Sequence, residues 1–411
     1  MSQQRAGRRL GLLVVLGALS GFGPLSMDLY LPSTPTIAVD LHAGQALVQL
    51  TMSGCVAGLA LGQLVAGPLS DSLGRRRPLL AGLAAFVVMS LACAVAPNIG
   101  VLIVFRFLQG MAGAAGIVVS IATVRDMYDA RDTARILASL TLVSGLAPVL
   151  APVIGGQLLR VTSWRGVFCV LGGIGLALLA ASWWLPETVP AARRQPPRFA
   201  RMLADSATLL RDRQFAGNAV TVALSTAALF TYISTLPFIV EDAYRQSAQR
   251  FSLIFAVNAL GLMAMGQLSA RLVRRRSPAA LLCTALVLQA AGAAALIAAA
   301  SVGHPPLPWL LVPMFVIVAG FGMMRPNGTA LALAGHAAIA GTASAYLGAM
   351  QFLSGAVLAP LAGVGGQGSA GPAAIIIGVL CVAALGLHLA ITRGGRPPVP
   401  APELAAEGGA D

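Results

Sequence analysis

Along the chain, long apolar runs alternate with short polar breaks. A helix needs about 20 mainly apolar residues to cross a bilayer. Twelve runs meet that length, over 10–37, 47–70, 78–96, 99–121, 136–158, 165–185, 216–240, 252–272, 278–301, 307–327, 341–363 and 371–392. The breaks are rich in Gly, Pro, Ser, Asp and Arg, residues that end helices and turn the chain. The first run follows Arg5, Arg8 and Arg9 and so mimics a signal peptide. It stays apolar to about Ile37 with no A-x-A cleavage site, so it is read as a span. The longest internal break, 186–215, divides the spans into two groups of six. Within it Phe199, Met202, Leu203, Leu209 and Leu210 recur at helical spacing among Arg198, Arg201, Asp205, Arg211 and Asp212. That pattern predicts a helix lying at the membrane surface. The expected organisation is a six-helix bundle over 1–185, a linker over 186–215, a second bundle over 216–392, and a tail over 393–411 with a disordered composition.

The two groups repeat. Gly67-Pro-Leu-Ser70 returns as Gly266-Gln-Leu-Ser269, and Arg75-Arg76-Arg77 as Arg274-Arg275-Arg276, a shift of 199. Val149-Leu-Ala-Pro152, with Gly155 beyond, returns as Val357-Leu-Ala-Pro360, with Gly363 beyond, a shift of 208. Parallel repeats of this kind build transporters from two similar halves.

Composition narrows the chemistry. The 411 residues are 57% hydrophobic and only 10% charged, against about 25% charged in soluble domains, so the chain is a polytopic membrane protein. All 27 basic residues are arginine. Without lysine there is no phosphate-loop ATPase site and no Schiff-base chemistry. His42, His304, His336 and His388 are isolated, and Cys55, Cys93, Cys169, Cys283 and Cys381 sit in apolar runs without a CxxC, so neither a metal nor a cofactor is expected. The net charge of +13 would suit nucleic acid, but its arginines lie in short loops between spans, so no nucleic-acid partner is expected. With both termini on one face, 22 arginines fall on that face and 4 on the other, with Arg106 inside a span. Positive loops stay in the cytoplasm, which predicts two cytoplasmic termini.

Two charged residues stand well inside the predicted spans, Asp28 and Arg106. A charge at the bilayer centre costs about 2.5–3.5 kcal/mol on insertion scales, so such residues are functional by default. Counted along straight helices, both lie about 12–14 Å from the outer face, so they can share one cavity. Arg106, Gln109 and Gly113 fall on one helical face. Tyr30, Gln109, Tyr232, Phe238, Tyr346 and Gln351 are aromatic or polar positions in otherwise aliphatic spans. A mostly apolar cavity with a few polar groups suits a lipophilic, drug-sized ligand. In the fifth span Gly145, Pro148, Pro152, Gly155 and Gly156 weaken the helix and allow close packing, the makings of a hinge.

Several stretches resemble a known family. Gly67, Leu69, Asp71, Gly74, Arg75 and Arg76 match the loop pattern G-x-L-x-D-x-x-G-R-R of the major facilitator superfamily; Ser72 departs from it, a basic residue being usual there. The second copy of the loop lacks the aspartate and glycine, having Ala270 and Val273. The fourth span resembles that of proton-coupled members, and the fifth resembles the antiporter signature, with Ala151 in place of a usual glycine. Met27-Asp-Leu-Tyr-Leu-Pro-Ser-Thr-Pro35 resembles the bicyclomycin and chloramphenicol resistance subfamily of drug:proton antiporters. So do Val124-Arg-Asp-Met-Tyr128, Ser163-Trp-Arg-Gly-Val-Phe168, Leu185-Pro-Glu-Thr188, the Tyr232 to Phe238 stretch and Ala340-Gly-Thr-Ala-Ser-Ala345.

The resemblance implies an all-α membrane protein of the major facilitator fold, with twelve transmembrane helices in two six-helix bundles about a pseudo-two-fold axis. It implies proton-coupled efflux of lipophilic small molecules by alternating access, from a monomer in the cell membrane whose partners are substrate, protons and lipid. Asp28 would carry the proton and Arg106 tune it. The Asp71 loop would hold the bundles together on the cytoplasmic side in one state, with Arg125 and Arg131 as further partners of Asp71. The direction of transport comes from the resemblance alone, and a proton-coupled importer or a uniporter of a small metabolite is the alternative. A membrane-embedded enzyme would need a nucleophile–base or metal cluster at one depth, which the sequence lacks. A channel is disfavoured by a two-fold repeat around buried charges.

Overall fold

The computed structural model describes residues 2–190, 192, 194, 209, 211–336, 340–365 and 370–394, which are almost entirely helical. The first group comprises α1 (Ser2–Asp28), α2 (Thr34–Asp40), α3 (Gln45–Leu73), α4 (Arg76–Ala94), α5 (Ile99–Met127), α6 (Ala130–Leu158) and α7 (Trp164–Ser182). The second comprises α8 (Arg213–Pro237), α9 (Ala248–Leu272), α10 (Pro278–Ala300), α11 (Leu307–Leu333), α12 (Ala340–Leu358) and α13 (Ala370–Gly394). Eleven of the described spans are long and apolar enough to cross a membrane, and α6 carries a shorter apolar stretch, Leu146–Leu158. The short links supply N-caps: Asn98 accepts from the Val101 N–H, Asp129 from Asp132, Asp212 from Gln214 and Ser277 from Ala280, each satisfying a helix-end donor.

The first predicted span is broken. Helix α1 ends at Asp28, a 3₁₀ turn covers Leu31–Ser33, and α2 resumes at Thr34. Proline explains the break. Pro32 has no N–H for the Asp28 carbonyl and Pro35 none for that of Leu31, so the helical ladder stops there. The Thr34 hydroxyl donates to the Leu31 carbonyl instead, at 2.8 Å. A depth for Asp28 counted along a straight helix therefore does not apply.

Several spans run longer than expected, α5 to Met127 and α6 from Ala130 among them. Helix α8 continues through a π-helical turn, Phe238–Ala243, which brings Glu241 and Asp242 into the seventh span. Helix α11 extends to Leu333, so Arg325, expected at the cytoplasmic end of a span over 307–327, stands two turns inside it. Asp28 and Arg106 are therefore not the only charges within spans. The predicted surface helix over 198–212 and the tail after Arg393 lie almost wholly outside the described residues. The described end of the linker anchors the second group instead, with Leu209 fully buried and Asp212 capping α8. His336, isolated in sequence, has its Nε2 3.1 Å from the Asp212 carboxylate and packs edge-on against Phe215.

Small residues set the spacing within each group. A Cβ on Gly110 of α5 would lie 2.0 Å from the Cys55 carbonyl oxygen of α3, so the two backbones touch. The second group repeats this contact: a Cβ on Gly322 of α11 would lie 2.0 Å from the Leu262 carbonyl oxygen of α9. In lipid, where apolar surface gains little from association, such close approach is what binds helices together. The sequence repeat thus places α11 as the counterpart of α5.

Candidate functional site

Asp28 stands at the broken end of α1 with 6% of its surface exposed, and Arg106 of α5 is fully buried. No salt bridge joins them among the described residues. The guanidinium lies 4.1 Å from the Tyr30 ring centroid and 5.5 Å from that of Phe168, a cation–π arrangement that replaces an ion pair. Its Nη1 donates to the Gln109 Oε1 at 2.6 Å and to the Ser26 carbonyl at 3.3 Å. Nε and Nη2 have no partner. Arg106 therefore grips the turn of α1 just before Asp28, and its charge reaches the carboxylate through space.

The other predicted cavity residues divide. Gln109 passes the network on, donating 2.7 Å to Ser90 Oγ, which donates to the Phe86 carbonyl. Tyr30 shares a 3.1 Å hydrogen bond with Thr51. Tyr232 is buried, stacks on Phe255 at 6.2 Å, lies within electrostatic reach of Asp28, and has an unpartnered hydroxyl. Phe238 is buried at the start of the π-helical turn. Gln351 is buried on α12. Tyr346 lies apart, packed against a separate apolar cluster that includes Phe215, Leu282 and Met324.

Pro152, Gly155 and Gly156 of α6 sit where the groups meet. A Cβ on Gly155 would lie 2.0 Å from the Leu29 carbonyl oxygen, beside the break in α1, and one on Gly156 would lie 2.3 Å from Ser252 Oγ of α9. Pro148 and Pro152 lie inside α6, as does Gly145. Among the described residues three hydrogen bonds cross between the groups: Gln49 to the Ser234 carbonyl (3.2 Å), Gln249 to the Gly156 carbonyl (2.8 Å) and Ser252 to the Pro152 carbonyl (2.6 Å). All three lie at the face opposite the Asp71 loop. A narrow gap between α3, α8 and α12 is lined by Met52, Ser53, Val56, Phe230, Ser234 and Ala356.

The Asp71 loop is tied within its own group. Arg75 pairs with Asp71 one turn before it and reaches Asp126 at the end of α5, Nε to Oδ2, at 2.9 Å. Thr188 donates to the same oxygen at 2.8 Å. Gly74 has φ +88°, and a Cβ there would lie 2.4 Å from the Glu187 carboxylate, so both backbone and space require glycine. That carboxylate accepts from the N–H groups of Arg75 (2.8 Å) and Arg76 (3.2 Å) at the start of α4, where the helix dipole favours an anion. Partial burial would raise the Glu187 carboxyl; hydrogen bonds from the Val189, Arg75 and Arg76 backbones outweigh it and hold the group below the ordinary carboxylate range. Gly67 has open space around it. Of the expected partners, Arg125 does not carry the network and the Arg131 side chain lies outside the described residues; Asp126, Glu187 and Thr188 carry it. All three lay in stretches singled out for resemblance, and an acid facing a run of arginines was the signal available.

With this geometry in place, comparison with known proteins is informative. The family described as Major Facilitator Superfamily matches residues 16–360. The chain is 38% identical over 362 residues to an uncharacterised MFS-type transporter, YdgK, of Bacillus subtilis, covering 87% of this chain and 89% of the relative. It is 30% identical over 377 residues to the multidrug resistance protein MdtL of Escherichia coli, covering 91% and 93%. It is 29% identical over 387 residues to a bicyclomycin resistance protein homologue of Haemophilus influenzae, covering 93% and 96%. Among solved structures, the nucleoside transporter NupG superposes with a TM-score of 0.77 at 14% identity, covering 92% of this chain and 99% of that one, a likeness of fold.

Proposed function

The chain belongs to the major facilitator superfamily, and on that premise we propose that it is a proton-driven exporter of lipophilic small molecules that works by alternating access. One observation carries the reading: a buried carboxylate, Asp28, stands at a break in its helix, beside a buried cation and the seam between the two helix groups. A proton antiporter needs a group that loads on one side and unloads on the other. A rocking movement at the seam changes what surrounds Asp28, and a carboxyl answers such a change by taking or losing a proton. Arg106 holds the turn before it and keeps a positive charge in the same dry space. The names of MdtL and the bicyclomycin resistance homologue support export of drugs over uptake of a metabolite. On the positive-inside rule the Asp71 face is cytoplasmic, and the described arrangement is the one closed to the outside.

Asp28→Asn mimics the permanently protonated carboxyl. It is expected to abolish efflux driven by an imposed proton gradient in membrane vesicles while leaving drug binding to the purified protein. Asp28→Glu should retain part of the activity. Full gradient-driven efflux by Asp28→Asn would reject the mechanism. A drug-susceptibility panel on cells with and without the gene identifies the substrates.

A further inference from the structure

Arg325 is a charge inside a span that neither the proton-coupling site nor the basic loops account for. It lies on the stripe Met314, Val318, Phe321, Arg325, spaced four, three and four residues apart, so the four share one face of α11. The first three are buried and Arg325 is exposed. The neighbours of α11 fix where that face looks. Gly322 meets α9 at the Leu262 carbonyl, Gly328 meets Val222 of α8, and Gly320 meets Gln289 of α10. The Trp309 and Val312 side, 55% and 63% exposed, is turned to lipid. The Arg325 stripe falls in the remaining sector, between the α8 and α9 contacts, and so looks inward. Its counterpart on α5 is Leu102, Arg106, Gln109, Gly113, because Gly110 and Gly322 make the same contact in the two groups. Arg325 thus corresponds to Gly113 and stands two turns nearer the Asp71 face than Arg106.

No described acid pairs with Arg325, and no described group accepts a hydrogen bond from it. Arg106 is settled by Gln109, a carbonyl and two rings; Arg325 has none of these. A free guanidinium on an inward stripe presents a fork of donors suited to a carboxylate or phosphate.

We propose that Arg325 is a specificity-determining position that takes the anionic oxygens, carboxylate or phosphate, of an amphiphilic molecule entering the interior from the Asp71 face. The apolar body of that molecule lies along Phe321, Val318 and Met314. The inference rests on the export reading and narrows its substrate class to lipophilic molecules with an acidic group. The same chemistry is offered by a transported acid and by a phospholipid headgroup.

The test uses the full-length protein purified in a neutral detergent and two dyes with one core, rhodamine B, which bears a carboxylate, and its ethyl ester, which does not. Binding is followed by fluorescence polarisation. Wild type is expected to bind the carboxylate dye about tenfold more tightly than the ester, which corresponds to about 1.4 kcal/mol. In Arg325→Gln the ratio should fall to about one, and in Arg325→Lys part of it should remain, since the charge stays and the fork is lost. The preference should weaken as salt is raised, because the group is open to water. A second arm adds phosphatidylglycerol or phosphatidylcholine. Displacement of rhodamine B by phosphatidylglycerol alone, in wild type and not in Arg325→Gln, supports the anion site and assigns it to a headgroup; a dye preference without that displacement assigns it to a transported acid. Equal affinity of wild type for both dyes, or an undiminished preference in Arg325→Gln, overturns the anion site and leaves the export reading standing. If wild type binds neither dye, both fall.

Discussion

At the residue scale, Arg106 shows how a buried charge is held without a counter-ion. Its stabilisers are two aromatic faces, an amide oxygen and a carbonyl, and each depends on the planar guanidinium. Arg106→Lys should therefore behave almost like a deletion, with transport reduced by about tenfold or more, the equivalent of the roughly 1.5–3 kcal/mol attached to a hydrogen bond with a charged group. Arg106→Ala should in addition move the pH profile of efflux, because the positive charge near Asp28 is gone. Proton-gradient-driven uptake into everted vesicles, measured across pH for both variants, checks this; an unchanged profile in a folded Arg106→Ala protein would uncouple the two residues. Gly74 makes a simpler case. At φ +88° and ψ 164°, a region open essentially to glycine alone, a side chain costs about 1–3 kcal/mol from backbone strain, before its collision with Glu187. Gly74→Ala should lower the thermal stability of the purified protein, whereas Gly67→Ala, with nothing near it, should affect stability only slightly.

At the element scale, the loop between α3 and α4 is a junction of three helix ends within one group. In the Arg75–Asp71 pair the carboxylate is open to solvent, 58% exposed against 12% for the arginine, and solvent-exposed pairs one turn apart contribute only about 0.3–0.5 kcal/mol. Asp126 is better covered and also takes the Thr188 hydroxyl. Asp126→Asn should thus impair transport more than Asp71→Asn at equal expression, and the reverse order would return the main role to Asp71. Glu187 adds a pH dependence with a definite sign. A carboxyl held low in the folded protein contributes stability above its unfolded value, and loses it as pH falls through the folded value. In Glu187→Gln the acid limb of the melting-temperature profile should flatten. On the opposite face α6 has no room at Gly155, so Gly155→Ala should press the broken end of α1 out of place and slow efflux more than it lowers the melting temperature.

At the scale of the whole molecule, the two groups are joined at one face. The hydrogen bonds of Gln49, Gln249 and Ser252 all lie opposite the Asp71 loop, whose own bonds stay inside the first group and the start of the linker. Alternating access requires the joined face to part. Ser53 of α3 and Ala356 of α12 line the same narrow gap. With both changed to cysteine in a background lacking the native cysteines, a short bifunctional maleimide should stop transport, while either single change should not. Continued transport by the cross-linked protein would mean that this seam does not open.

The twelve runs, the basic bias of one face and the two-fold repeat were all legible in the sequence, because a bilayer demands long apolar helices and sorts arginine by side. Asp28 and Arg106 stood out for the same reason: a charge in an apolar run is conspicuous without any structure. What the sequence left open was which groups meet. Arg106 could be expected near Asp28, but its seat on Tyr30 and Phe168 depends on α5 approaching α1 and α7 at one level. The prolines at 32 and 35 were visible, yet only the folded chain put the resulting break next to Gly155 and the seam. Arg325 read as the end of its span because the hydropathy of α11 fades before its hydrogen bonding does; packed against α8, α9 and α10, the helix runs on to Leu333. Periodicity and composition fix which stretches are helices in lipid. Contacts between residues far apart in the chain are fixed by close packing, and that was decided by the tertiary structure.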